Sequence, residues 1–208
     1  MKRPVKRLSA AFALAAALLT PAQTRAAEPT YLSPTALAAS PEGKALFIAC
    51  GTANEVAVFD IATSKVTRRV SVPAPPTGLA LSADGSRLYV TCAAPASRVC
   101  VIDTAKGKIV DTLPAGHSAT GPVLSPDGKT LFVCNRFNDD VSFLDLASKK
   151  EIRRVAVQRE PVAAAITADG KFLLVANLLH NGRADADYVA AVVSVIDVTT
   201  GKVTKELQ

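Results

Sequence analysis

The chain has 208 residues, of which 49% are hydrophobic, and it carries 24 lysines and arginines against 18 aspartates and glutamates. Five of the basic residues and none of the acidic ones fall in the first 26 positions, so the remainder has a net charge of only about +1. A nucleic-acid partner recruited by bulk charge needs a concentrated basic surface, and this composition argues against one.

The first 26 residues have the organisation of a secretory signal peptide. A basic start is followed by an uncharged apolar stretch from Leu8 to Thr20 and by a short segment that ends at Ala26. An apolar stretch of this length is too short to cross a bilayer core. We therefore predict that residues 1–26 direct export, that the mature protein is periplasmic or secreted by a bacterium, and that no membrane span remains after cleavage.

A pair formed by an acidic residue and glycine then recurs four times, with glycine-to-glycine steps of 42, 43 and 42 residues. The four pairs are Glu42-Gly43, Asp84-Gly85, Asp127-Gly128 and Asp169-Gly170. A period of about 40–45 residues that holds several short strands is typical of β-propeller blades. We predict an all-β propeller domain over residues 31–208, with blades at about 33–75, 76–119, 120–160 and 161–208.

The second repeat illustrates one predicted blade. Its apolar runs predict strands at 77–82, 87–92, 98–104 and 108–113, joined by short connections, and four antiparallel strands of this kind make one blade. An aspartate ends the third strand of every repeat, at Asp60, Asp103, Asp145 and Asp197. Aspartate accepts backbone N–H bonds before a turn, so we interpret these four as architecture and predict no catalytic residue among them.

Several strings resemble the consensus of YVTN-repeat β-propellers. They are Leu88–Cys92, Leu131–Asn135 and Leu173–Asn177, together with Leu124–Gly128 and Val195–Asp197. The resemblance implies an exported bacterial protein, often with seven blades and sometimes fused to a cytochrome c domain, although no Cys-x-x-Cys-His haem signal occurs here. Seven blades need about 300 residues. The four repeats therefore either close alone or form an open, incomplete propeller; we favour the second, whose open faces invite self-association.

Residues that break the repeat are the candidates for function. Most fall in the links between blades and in the loops between second and third strands, which share one face of a propeller. The step between the third-strand aspartates rises from 42 to 52 residues after Asn177, and long irregular loops on a repeat scaffold commonly carry function. The candidate binding residues are His117, Asn135, Arg136, Asn138, Arg159, Glu160, Asn177, His180, Arg183 and Asp185.

Metal and thiol chemistry are less favoured. His117 and His180 with Asp185 or Asp187 form a conceivable ligand set, but no short-range ligand spacing supports it, so neither a metal nor another cofactor is predicted. Among Cys50, Cys92, Cys100 and Cys134, repetition favours buried packing. Export also permits a disulfide between Cys92 and Cys100 across one hairpin, and the two alternatives stay open.

Two functions follow. The first is an exported, non-enzymatic binding scaffold for a protein or a small polar or anionic ligand. The second is the propeller part of a periplasmic enzyme or redox protein, lactonase-like or cytochrome-associated, which the family resemblance implies. The first is preferred because no recognised constellation of catalytic groups is present in the sequence.

Overall fold

A computed structural model of the chain describes residues 31–182 and 191–208, which contain sixteen strands. Blade 1 holds β1 (Pro34–Ala39), β2 (Ala45–Cys50), β3 (Glu55–Asp60) and β4 (Lys65–Ser71). Blade 2 holds β5 (Pro76–Leu81), β6 (Arg87–Cys92), β7 (Arg98–Asp103) and β8 (Lys108–Pro114). Blade 3 holds β9 (Ala119–Leu124), β10 (Thr130–Asn135), β11 (Asp140–Asp145) and β12 (Lys150–Ala156). Blade 4 holds β13 (Pro161–Ile166), β14 (Phe172–Asn177), β15 (Val192–Asp197) and β16 (Lys202–Leu207).

Each blade is a separate four-stranded antiparallel sheet in which the strands lie in chain order. The predicted all-β architecture of propeller blades is therefore confirmed. The predicted signal peptide lies outside the described residues. Within the described ranges, no helix is both long and apolar enough to traverse a bilayer.

The turn between the first and second strands of a blade depends on glycine and on an acidic side chain. Gly85 has a φ of +71°, a conformation that costs glycine little. Asp84 accepts hydrogen bonds from the Ser82 hydroxyl at 2.6 Å and from the Ser86 backbone N–H at 3.0 Å. The same arrangement recurs at Asp127 and Asp169, so the acidic residue closes the turn.

The aspartate that ends each third strand has the predicted architectural role. In every blade its carboxylate accepts a hydrogen bond from the backbone N–H three residues later. The four bonds are Thr63 to Asp60 at 2.7 Å, Lys106 to Asp103 at 2.9 Å, Ser148 to Asp145 at 2.6 Å and Thr200 to Asp197 at 2.7 Å. The interpretation of these residues as turn-forming is confirmed.

Successive blades pack around the first strands. β1 contacts β5, β5 contacts β9, and β9 contacts β13, while three apolar cores fill the spaces between neighbouring blades. Thr35 and Thr77 each donate a hydrogen bond of 2.6 Å to a backbone carbonyl of the following blade. Gly78 has no room for a side chain, because an added Cβ would collide with Pro122 of blade 3.

The fourth strands add a second connection between blades, which we call the outer latch. Arg68 donates hydrogen bonds to the carbonyl oxygens of Thr104 and Ala105 in the next blade, at 3.1 and 2.9 Å. Arg153 does the same to Val198 and Thr199, both at 3.1 Å. At the equivalent position of blade 2, Asp111 instead forms an ion pair with Lys149 of blade 3. The latch therefore depends on position more than on residue type.

The described blades form an open arc. No comparable contact joins β13 of blade 4 to β1 of blade 1 among the described residues. Strands of the middle blades are buried on both faces, as in β10, whereas β14 and β15 alternate between buried and partly exposed residues. Among residues 31–182 and 191–208, nothing therefore covers one apolar sheet face at each end of the arc.

The outer latch predicts different effects for alanine at two glycines that share positive φ values. Gly107→Ala and Gly128→Ala should both cost about 1 kcal/mol, because alanine disfavours this conformation. Gly107→Ala should cost a further 0.5–1.5 kcal/mol or so, because the added Cβ meets the Arg68 side chain and displaces its hydrogen bonds, whereas nothing lies within 4 Å of a Cβ at Gly128. Urea unfolding measures both, and equal losses would contradict the latch. In an Arg68→Ala background the difference should disappear.

Acid should destabilise the protein. Hydrogen bonds from turn hydroxyl and backbone N–H groups lower the pKa of the turn aspartates, that of Asp84 to about 2. A carboxyl group whose pKa is lower in the folded state stabilises the fold at pH values above its unfolded-state pKa, which is near 4. This stabilisation is lost as the pH falls toward 2. Asp140, whose pKa burial raises, acts in the opposite direction. Urea midpoints should therefore decline steadily below about pH 4.

A matched pair tests the origin of this decline. Asp127→Asn should lower the midpoint at pH 7 and flatten its acid dependence, because it removes a hydrogen-bonded carboxylate. Glu42→Gln should behave like the wild type, since the Glu42 carboxylate makes none of these turn bonds among the described residues. A similar effect of the two substitutions would contradict the assignment.

Candidate functional site

Two blade links and one loop meet on one face of blade 3. The link to blade 2 spans residues 115–118, the link to blade 4 spans 157–160, and the loop between β10 and β11 spans 136–139. Five side chains from these segments form what we call the loop-face cluster. They are His117, Arg136, Phe137, Asn138 and Glu160.

An ion pair joins the loop to the link that leads into blade 4. Arg136 Nε and Nη2 both donate to Oε2 of Glu160, at 2.9 and 2.6 Å. The Glu160 side chain is the more buried partner, with 23% exposure against 40% for Arg136. Glu160 itself has a φ of +55°, and its backbone N–H is fixed by Oδ1 of Asp139 at 2.9 Å. The Glu160 backbone is therefore fixed by a contact separate from the ion pair that its carboxylate makes with Arg136.

An exposed aromatic ring lies at the centre of the cluster. The Phe137 residue is 54% exposed, unusual for phenylalanine in a polar loop. The guanidinium carbon of Arg136 lies 5.1 Å from its ring centroid, and the His117 ring approaches edge-on at 5.2 Å with an interplanar angle of 71°. The ring thus contacts a cation and an imidazole while much of its surface faces solvent.

Two asparagines position the link that carries His117. Asn138 Oδ1 accepts from the His117 backbone N–H at 2.6 Å, and Asn135 Oδ1 accepts from the Gly116 N–H at 2.8 Å. A side chain at Gly116 would collide with both asparagines, so glycine is required for this close approach. The cluster is consequently assembled by backbone contacts and does not depend on the exposed side chains alone.

Asn135 is part of a buried polar network and is fully shielded from solvent. Its Nδ2 donates to Asp140 Oδ1 at 2.6 Å and to Ser142 Oγ at 2.8 Å, and the Ser142 hydroxyl donates to Glu151. Arg154 completes the network with two bonds to the Glu151 carboxylate, at 2.9 and 2.8 Å. Those bonds lower the pKa of Glu151, whereas desolvation raises the pKa of Asp140. Asn135 therefore connects the start of the loop to this buried polar network.

Asn177 is buried at the equivalent position of blade 4. Its Nδ2 donates to Ser194 Oγ at 3.0 Å and to the Val192 carbonyl oxygen at 2.9 Å, while its Oδ1 has no partner among the described residues. The Ser194 hydroxyl in turn donates to the Glu206 carboxylate. The recurrence of asparagine, serine and a carboxylate in blades 3 and 4 indicates a structural arrangement shared by the two blades.

The remaining sequence candidates are not brought together. Arg159 is exposed beside Glu160, and its carbonyl accepts from the Leu179 N–H at 3.2 Å. His180 Nδ1 accepts from the Gly182 N–H at 2.6 Å. Arg183 and Asp185, together with Asp187 of the conceivable metal set, lie outside the described residues. The described part of the chain contains no group of three histidine, cysteine or acidic side chains arranged to hold a metal ion.

Grooves also occur on the opposite face, between neighbouring blades. One, of about 270 Å³, lies between blades 3 and 4 beside Pro126 and Gly170. A similar groove of about 280 Å³ lies between blades 2 and 3 beside Ala83 and Pro126. Because the two recur at equivalent interfaces and are lined by the repeated turns, they are features of blade packing. The loop-face cluster has no such repeat among the described residues.

Phe137 is not among the candidate residues predicted from the sequence. Its position in a predicted loop, between an arginine and an asparagine, is the one sequence feature that could have indicated an exposed aromatic ring. Its significance emerges only from the exposure of its ring and from its contacts with residues of two other segments.

Comparisons with known proteins bear on the fold. No protein-family model matches the chain, and no curated protein matches it. A solved structure, Kuenenia stuttgartiensis hydrazine synthase, is similar with a TM-score of 0.76 and 26% sequence identity over 88% of this chain and 51% of that chain. That protein contains a β-propeller, which agrees with the blade architecture described above. This chain therefore spans about half the length of the solved chain it matches.

The four cysteines are buried thiols. Sγ of Cys92 lies 3.7 Å from Sγ of Cys100, and this contact together with burial raises the pKa of Cys92. Burial alone raises the pKa of Cys134 to about 12. The raised pKa values keep Cys92 and Cys134 poorly ionised, and burial shields all four thiols from reagents.

We expect the folded protein to react negligibly with a thiol reagent at pH 8, because its cysteines are buried. After denaturation without reductant it should reveal four thiols. Two thiols after denaturation would instead indicate a bond between Cys92 and Cys100. The Cys100→Ser variant, with three thiols expected, calibrates the count.

Proposed function

We propose that this chain is a non-enzymatic binding scaffold and that the loop-face cluster binds a polypeptide partner. The observation that carries the proposal is the exposed Phe137 ring, held between Arg136 and His117 on a rigid blade. Aromatic and arginine side chains dominate the binding energy of protein interfaces, usually where surrounding contacts hold them in position.

The chemistry of the cluster favours a partner with both apolar and acidic groups. An apolar side chain of the partner would pack on the open surface of Phe137 and remove it from water. Arg136 uses two of its five N–H groups on a single oxygen of Glu160, which leaves donors on a partly exposed guanidinium. A partner carboxylate placed there would extend the ion pair.

Rigidity also supports binding. The Arg136 side chain is already ordered by Glu160. The backbones of the two links are already fixed, because Asn135, Asn138 and Asp139 accept hydrogen bonds from their N–H groups. Ordering a long side chain during association costs about 0.5–1.5 kcal/mol, so a preformed site binds more tightly for the same contacts.

The alternative is an enzyme-associated role. It is favoured by one observation, that the similar solved structure is named a hydrazine synthase. The match spans about half of that chain, and the fold alone does not transfer an activity. Turnover of a lactone by the purified chain, or a stoichiometric metal, would support this alternative over binding alone.

Photo-crosslinking tests the binding proposal. A photoreactive phenylalanine analogue at position 137, introduced in cells that produce the protein, should give a covalent adduct with another polypeptide. The same analogue at Ile152, which is 61% exposed on β12, should give several-fold less. Arg136→Ala should reduce the adduct at position 137 several-fold, because it removes both the cation over the ring and the donor for a partner carboxylate.

Three results would contradict the proposal. They are equal adducts at positions 137 and 152, an adduct unaffected by Arg136→Ala, and an adduct that contains only a second copy of this chain. The urea midpoint of Arg136→Ala serves as a control, because a partly exposed ion pair contributes only about 1 kcal/mol or less. A near-normal midpoint shows that the loss of adduct does not reflect unfolding.

A further inference from the structure

The two ends of the arc expose unlike sheet faces. In the interior, the leading face of each blade, which points to the following blade, packs against that blade's trailing face. In the described part of the chain nothing covers the leading face of blade 4, where Leu174, Val193 and Val195 are partly exposed. Blade 1 leaves a trailing face uncovered, with Leu37 61% exposed and Leu46 and Ile48 partly exposed. Both surfaces are apolar.

Exposed residues at both ends occupy positions that are covered elsewhere. Leu207 on the leading face of blade 4 is 37% exposed, whereas its counterparts in the other blades are 2–7% exposed. Those counterparts are Val70, Leu113 and Val155. Ile61 in blade 1 is 46% exposed, whereas its counterparts Leu146 and Val198 pack into the cores between blades. The sequence thus retains interface residues at both ends.

Among the described residues, the outer latch also lacks a neighbouring blade at each end of the arc. Lys205 of β16 occupies the position of Arg68 and Arg153, whose guanidinium groups donate to two carbonyls of the next blade. The equivalent carbonyls of blade 1 belong to Ile61 and Ala62, in a turn to which no described blade docks. A lysine ammonium can donate to backbone carbonyls. The two ends are therefore complementary in apolar surface and in hydrogen bonding.

We propose that two copies of this chain join into one eight-bladed ring. Blade 4 of each copy packs on blade 1 of the other, and Lys205 reaches the turn at Ile61 and Ala62 of the second copy. A leading face meets a trailing face at both junctions, as at every interior interface. A twofold axis makes the junctions identical, and eight blades lie within the range of known propellers.

Closure distinguishes this assembly from others that the same faces allow. Unlike faces that associate head to tail give a ring when the rotation closes and a filament when it does not. Pairing of two like faces would give a dimer that leaves the remaining face uncovered. Only the closed ring covers all four end faces with two chains.

Sedimentation velocity of the purified chain tests the proposal. The ring predicts a dimer, with twice the mass of the purified chain, and no larger species over a wide concentration range. A monomer would overturn it and leave the end faces to another segment or partner. A filament would overturn it as well, since the rotation would not close.

Variants at each end test which faces meet. Leu207→Asp on the leading face and Leu37→Asp on the trailing face should each convert the dimer to a monomer, because every junction contains both faces. A dimer that survives either one would indicate pairing of like faces and overturn the ring. Ile152→Asp, at an exposed apolar residue on neither end face, should leave the dimer unchanged. Far-UV circular dichroism confirms that the variants fold, and Lys205→Glu should weaken the dimer without abolishing the fold.

Discussion

The whole structure depends on covering sheets that are apolar on both faces. In β6 and β10 five consecutive residues are buried, so no solvent-facing side exists along most of either strand. Such a strand is stable only between two neighbours, and stacking blades supplies them. The charged fourth strands follow from the same constraint, because they lie at the outer edge where pairing ends.

Polar groups serve this stacking without interrupting it. Each blade turns through an aspartate that satisfies backbone N–H groups, and each interior boundary between blades carries an outer latch. The latch tolerates exchange of an arginine for Asp111, which pairs with Lys149, since either arrangement joins equivalent segments of neighbouring blades. Repetition therefore preserves the positions of contacts, while the residues that make them vary from blade to blade.

The sequence was sufficient to predict the blades, since strand periodicity, the acidic residue with glycine, and the terminal aspartate are all local signals. It also pointed to the loop that contains Arg136. It did not distinguish Asn135, which is buried and structural, from Asn138, which lies in the exposed loop, because burial depends on how links 19 to 21 residues away fold over them. The pairing of Arg136 with Glu160 likewise joins two segments whose approach only the assembled blades define.

The two proposed surfaces are separate because a propeller separates its faces. Sheet faces are occupied by stacking, so any change there alters the assembly of blades. Loops between second and third strands contribute little to stacking and can change independently, as they do around Phe137. Ring closure would occupy the end faces of blades 1 and 4, whereas the loop-face cluster projects from blade 3 and its two links. Closing the ring would thus leave two copies of the cluster exposed on the same face, and a partner with two binding segments would gain affinity from both.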